Sequence, residues 1–149
     1  MAAAAGYSGT PLAKKLGLRD GQAVAFAGLP ATLESLLAER AFAFVERVDD
    51  WRDISGLGLD YVHLFTHSAA TVEAATPILR DRIDPAGMIW MSWPKKASKV
   101  PTDVTEDTIR DCALHNDMVD VKVCAVDEVW SGLKIVIRKQ YRSRYGGQA

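Results

Sequence analysis

The chain has 149 residues, 48% apolar and 25% charged, with a formal net charge of −1. That is enough for one core without disulfide or metal support, and it gives no global reason to expect nucleic acid or a membrane as partner. No apolar run approaches the ~20 residues that span a bilayer. The alanine-rich start, Met1–Ala5, lacks the basic region and long apolar stretch of a signal peptide, so the expected location is cytoplasmic, with Cys112 and Cys124 as reduced thiols.

Thr10-Pro11 before Leu12 and Leu16, with Gly17 behind, predicts a short helix: threonine caps, proline suits the first helical position and glycine ends the last turn. Asp20-Gly21 turns into an apolar strand at Ala23–Ala27, which Gly28-Leu29-Pro30 breaks. Leu33, Leu36 and Leu37 follow at helical spacing, and Phe42–Val48 is apolar enough for a second strand.

Gly56 and Gly58 mark a loop before a third strand at Asp60–Thr66, rich in aromatic and branched residues. Ser68 can cap the helix that follows. Pro77 should kink that helix, or split it with Thr76 as a second cap. Asp84-Pro85-Ala86-Gly87 predicts a turn into Met88–Trp93, the strongest candidate for a buried strand, which Pro94 ends. Asp103 with Glu106 resembles a capping box, and Ile109, Cys112 and Ala113 give that helix its apolar stripe. Val119–Val126 and Leu133–Ile137 alternate with period two around Ser131-Gly132, as an antiparallel pair does.

Strands alternating with helices imply a parallel sheet with right-handed crossovers. The expected fold is a single α/β domain over residues 1–140, a three-layer sandwich with a C-terminal antiparallel hairpin. Residues 141–149 are expected to form a flexible basic tail.

In this order, the Ala23–Ala27 strand opened by Leu18–Gln22, the Asp60-Tyr61-Val62 strand, the Asp84–Gly87 turn into a buried strand, a helix and a hairpin resemble the class I S-adenosylmethionine-dependent methyltransferases. The resemblance implies a cut-down Rossmann-type core. Ser8-Gly-Thr-Pro-Leu with Lys15-Leu-Gly17, and Trp93-Pro-Lys-Lys96 with Val100-Pro-Thr-Asp103, are similar to a family of small bacterial proteins with no assigned activity.

Three features depart from the methyltransferase pattern. The turn after the first strand, Phe26-Ala27-Gly28-Leu29-Pro30, holds one glycine where that family places several so that backbone can approach the cofactor. Glu46 or Asp49 is the only candidate for the acid that holds the ribose. The stretch from Asp49 to Leu59 is too short for a helix–strand–helix insert, so a strand and two helices are missing. No bound cofactor is therefore expected.

Ligands of open α/β sheets bind outside the carboxyl ends of the parallel strands. Three loops leave such ends here: Gly28–Pro30, Thr66–Ser68 and Trp93–Thr102. Lys95, Lys96 and Lys99 precede a helix N-terminus, a combination that suits a phosphate or carboxylate, with the backbone of Thr102 and Asp103 as donors. The plainer reading is a solvated basic loop that balances the acidic helix after it. Trp93 can stack on a ligand ring or fill the core. His67 stands where a general acid or base works, although a lone histidine is more often structural. His63 is expected to pack inside its strand. Asp127, Glu128 and Trp130, in the hairpin connection, belong near the same edge. No metal-binding, G-x-S-x-G or P-loop spacing occurs.

The leading expectation is a non-catalytic domain that binds a partner protein or a small anionic ligand. The alternatives are a working methyltransferase and a nucleic-acid accessory protein using Arg138–Arg144 with Tyr141 and Tyr145. Self-association stays open.

Overall fold

The computed structural model describes residues 11–146. Thr10, expected to cap the first helix, lies outside that range. Among the described residues three α-helices, α1 (Leu12–Leu16), α2 (Ala69–Arg80) and α3 (Glu106–Leu114), accompany six strands. These are β1 (Ala23–Ala27), β2 (Phe44–Val48), β3 (Leu59–Phe65), β4 (Ile83–Pro94), β5 (Met118–Ala125) and β6 (Trp130–Ile137).

The strands form one sheet in the order β2-β1-β3-β4-β6-β5. β1 to β4 pair in parallel. β6 runs antiparallel to both β4 and β5, so β5 points the same way as the first four strands. The hairpin is thus no simple edge addition, because its second strand is inserted beside β4. Met88–Trp93 lies inside the sheet between β3 and β6, as its unbroken apolar run requires. The fold is a mixed α/β Rossmann-type domain, as expected.

Alternation along the strands divides the core in two. One face packs Ala25, Val62, Leu64, Ile89, Met91, Leu133 and Ile135 under α2 and α3. The other packs Val24, Phe26, Tyr61, Phe65 and Trp90 under α1 and the 3₁₀ segment Ala31–Ala38. That segment holds Leu33 and Leu36 in the core, in a tighter helix than the leucine spacing suggested.

Local departures have physical reasons. Gly17 closes α1 at φ 85°, its N–H bonding Lys14 O while Leu18 N bonds Ala13 O. Pro11 is the residue before the helix rather than its first turn. Pro77 neither splits α2 nor makes Thr76 a cap. Thr76 is buried inside one continuous helix and its hydroxyl donates to Val72 O at 2.6 Å. The carbonyl that Pro77 leaves without its usual helical donor belongs to Glu73, an exposed residue.

Asp84–Gly87 is an excursion within β4: Ile83 pairs with Leu59 and Met88 already with Tyr61. The second strand starts at Phe44 rather than Phe42. Residues 139–144, most of them in the segment expected to be a flexible tail, form a 3₁₀ helix whose Tyr141, with Tyr145 just beyond, packs on the core. The Tyr145 hydroxyl donates to Asp117 at 2.5 Å, and Arg80 lies 4.8 Å over the Tyr145 ring. Among the described residues no helix is long and apolar enough to cross a membrane.

Candidate functional site

The carboxyl ends of β1, β2, β3 and β4 lie side by side, and the loops leaving them define the candidate edge. At β1, Gly28 takes φ 70°, which favours glycine. Its N–H donates to Val48 O at 2.9 Å, and a Cβ built on it would lie 2.8 Å from Phe65 O. Gly28 thereby joins the ends of β1, β2 and β3. Its bare side faces protein backbone and its amide is already used. Leu29 behind it is buried.

At β2, Glu46 accepts the amides of Ser55 and Gly56, at 3.1 and 2.8 Å, and the Ser55 hydroxyl at 3.0 Å. It pins the loop before β3 and is not free to hold a ribose. Asp49 follows the last residue of β2 and is exposed.

At β3, Tyr61, His63 and Phe65 form an aromatic column. Tyr61 OH lies 2.8 Å from His63 Nδ1, and His63 Nε2 lies 2.7 Å from Ser92 Oγ. The His63 ring stacks on Phe65 at 4.2 Å. Burial holds the imidazole far below its ordinary value, at about 3, so His63 is neutral. Gly132 makes room for this chain, since a Cβ there would meet Ser92 Oγ at 2.9 Å. Phe65 meets Trp130 edge-on at 5.3 Å, and Trp130 lies 5.5 Å from the exposed His67 ring. The column therefore surfaces at His67 and Trp130.

At β4 the expectations need correction. Trp93 is not a ligand wall. Alternation turns it into the core face of Ile89 and Met91, and it is only 8% exposed. Trp130, paired with Pro94, supplies the accessible indole. The Asp103 amide donates to His67 O at 3.2 Å and so is not a free donor, and the Thr102 hydroxyl donates to the same oxygen at 2.8 Å. Asp103 caps α2 rather than α3, accepting Ala69 N–H at 2.7 Å. α3 is capped by Thr105, in a reciprocal box with Thr108.

Lys95, Lys96 and Lys99 lie around a 3₁₀ turn at Lys96–Ser98, separated from α3 by an extended segment. Lys95 N donates to Val129 O at 2.8 Å, which brings that loop beside Trp130. The lysines do not balance the acidic helix. Arg110 does, bonding Glu106, Asp107 and Asp120. The structure thus brings together His67, Thr102, Trp130 and the start of the lysine loop, and joins Gly28 to them through Phe65. Trp130 was legible only as a turn residue, because nothing in its neighbours' pattern reveals the Phe65 contact.

S-adenosylmethionine, which the fold class implies, meets a poor fit at the β1 turn. Its single glycine offers neither a free amide nor an open face, and Glu46 is already bonded to the loop before β3 while Asp49, just past β2, is exposed. Among the described residues no group of three or more His, Cys, Asp or Glu is placed to hold a metal ion.

No family model matches the sequence, and no curated protein matches it. Solved structures do. The magnesium protoporphyrin IX methyltransferase of Synechocystis PCC 6803 with bound S-adenosylmethionine aligns with TM-score 0.60 at 17% identity, over 84% of this chain and 74% of that one. A TehB-like S-adenosylmethionine-dependent methyltransferase from Corynebacterium glutamicum aligns with TM-score 0.61 at 11% identity, over 92% of each chain. A ribosomal protein methylase from Lactobacillus delbrueckii gives TM-score 0.60 at 12% identity, over 85% of this chain and 74% of that one. The chain therefore has a methyltransferase-like Rossmann fold.

Proposed function

We propose that this chain works by binding rather than by methyl transfer, as a methyltransferase-like domain whose cofactor turn is closed. The observation that carries this is Gly28, tied to Val48 and seated on Phe65 O. The ligand in this reading is a small anion with a flat ring. The ring lies against His67 and Trp130, and the charge faces Lys95 and Lys96. Its cytoplasmic setting and kinship with a small bacterial family are parts of the same proposal.

Titration with adenosine monophosphate, followed through the His67 imidazole resonances, tests it. Saturable shifts that Lys95→Ala with Lys96→Ala weakens support the site. Shifts that the double variant leaves unchanged move it elsewhere.

A second reading, a methyltransferase of unknown substrate, is favoured by Asp49 just past β2 and by the likeness to enzymes solved with that cofactor. Calorimetry with S-adenosylmethionine separates the two.

A further inference from the structure

A second group of charges lies away from the edge, on the face that α1 covers. Lys122 and Lys134 stand directly opposite each other across β5 and β6. Lys134 is also the cross-strand partner of Trp90. Trp90 is fully buried, and its indole N–H donates to Leu16 O at 2.8 Å. The end of α1 is thus fixed beside Lys134, with Gly17 against Met88. Lys15 and Arg19 flank that end. The sheet gives a floor with two lysines, and the end of α1 gives a wall with two more cations.

Like charges directly opposite in a sheet destabilise it. Among the described residues none of the four cations makes an ion pair with a carboxylate. Asp20 accepts Ala41 N–H and Asp84 accepts Ala86 N–H. Asp120 pairs with Ile135, on the opposite face, and bonds Arg110. Asp127 accepts the amides of Val129 and Trp130. Residues 1–10 contain no Asp or Glu. Burial, followed by Lys122 and Arg19, depresses the Lys134 ammonium below its ordinary value. Four cations held together without an ion pair are a charge that an outside anion would offset.

We infer that Lys15, Arg19, Lys122 and Lys134 form a binding site for a compact phosphate ligand, in the corner between α1 and the β5–β6 face. The commitment is to a small phosphate rather than a nucleic-acid backbone. The cations cover one corner of a chain whose net charge is −1, and a long polyanion would run beyond them. The inference is independent of the ligand proposed at the sheet edge.

Calorimetric titration of the full chain with inorganic pyrophosphate tests it. Saturable binding is expected, weakened about tenfold by Lys122→Met and abolished when Lys134→Met is added. The titrations are run in the Lys95→Ala and Lys96→Ala background, which removes the edge lysines, so that this site and the edge site fail separately. Unliganded Lys134→Met should melt above the parent protein, because repulsion is removed and the stem is kept. If that variant does not fold, Lys122→Met, at an exposed position, decides alone. The inference is overturned if pyrophosphate gives no saturable heat or if Lys122→Met binds as the parent does. It is also overturned if duplex DNA of about 20 base pairs binds more tightly per phosphate than pyrophosphate.

Discussion

Gly28 and Phe65 meet backbone to backbone across the carboxyl ends of β1 and β3, leaving 2.8 Å between the Phe65 oxygen and the place a Cβ would take. The contact explains the one glycine of the β1 turn without a ligand. Gly28→Ala must place a side chain at φ 70° and displace β3. The expected loss is roughly 2–4 kcal/mol in urea unfolding, from backbone strain and overpacking together. An unchanged midpoint would mean that the β1 turn is free to open.

His63 sets a pH dependence whose sign is fixed. Its ordinary value of 6.5 falls to about 3 in the fold, by burial. The unfolded chain therefore takes up the proton first. Stability from this group is full above pH 6.5 and is lost as pH falls toward 3, by roughly 4–5 kcal/mol at the limit. Asp117, also lowered, first through Tyr145, contributes stability that is present above its ordinary value of 3.8 and is lost as pH falls below it. Unfolding free energies between pH 7 and 4.5 should fall for the parent protein and stay flat for His63→Gln. Equal slopes would assign the loss to other groups.

Ser92 and Gly132 should behave as a coupled pair. Gly132→Ala meets Ser92 Oγ at 2.9 Å and Trp90 Cε3 at 3.1 Å, with an expected cost of roughly 1–3 kcal/mol. Ser92→Ala removes the first obstacle, so the double variant should lose less than the sum by roughly 0.5 kcal/mol or more. Strict additivity in a double-mutant cycle would show that the two do not press on each other.

Trp93 and the lysines after it should separate cleanly. Trp93→Ala opens the core and is expected to cost roughly 3–5 kcal/mol. Lys95→Ala with Lys96→Ala should stay within roughly 0.5 kcal/mol of the parent. Thermal melts of both distinguish a core indole from an exposed loop. A stable Trp93→Ala protein would return Trp93 to the surface.

The strands were legible because burial on two faces writes itself as apolar runs, as in Met88–Trp93, and burial on one face as alternation, as in Leu133–Ile137. Gly17 and Ser68 announced helix ends because their local chemistry decides those ends. Asp103 misled because it is a capping residue in sequence but caps a helix 34 residues earlier, Ala69 being its partner. A long-range contact leaves no local spacing to read. Trp93 and Trp130 exchanged roles for a related reason. Which face an aromatic takes depends on strand register, and the insertion of β6 beside β4 is a tertiary fact. Tyr145 reads as a tail residue because its partners, Asp117 and Arg80, lie far back in the chain.

Calorimetric titration of the full chain with S-adenosylmethionine tests the closed β1 turn most directly. No saturable binding is predicted at physiological concentrations, for the parent and for Asp49→Ala alike. Micromolar binding by the parent that Asp49→Ala abolishes would contradict this, and would place an adenosyl ligand across the ends of β1 and β2.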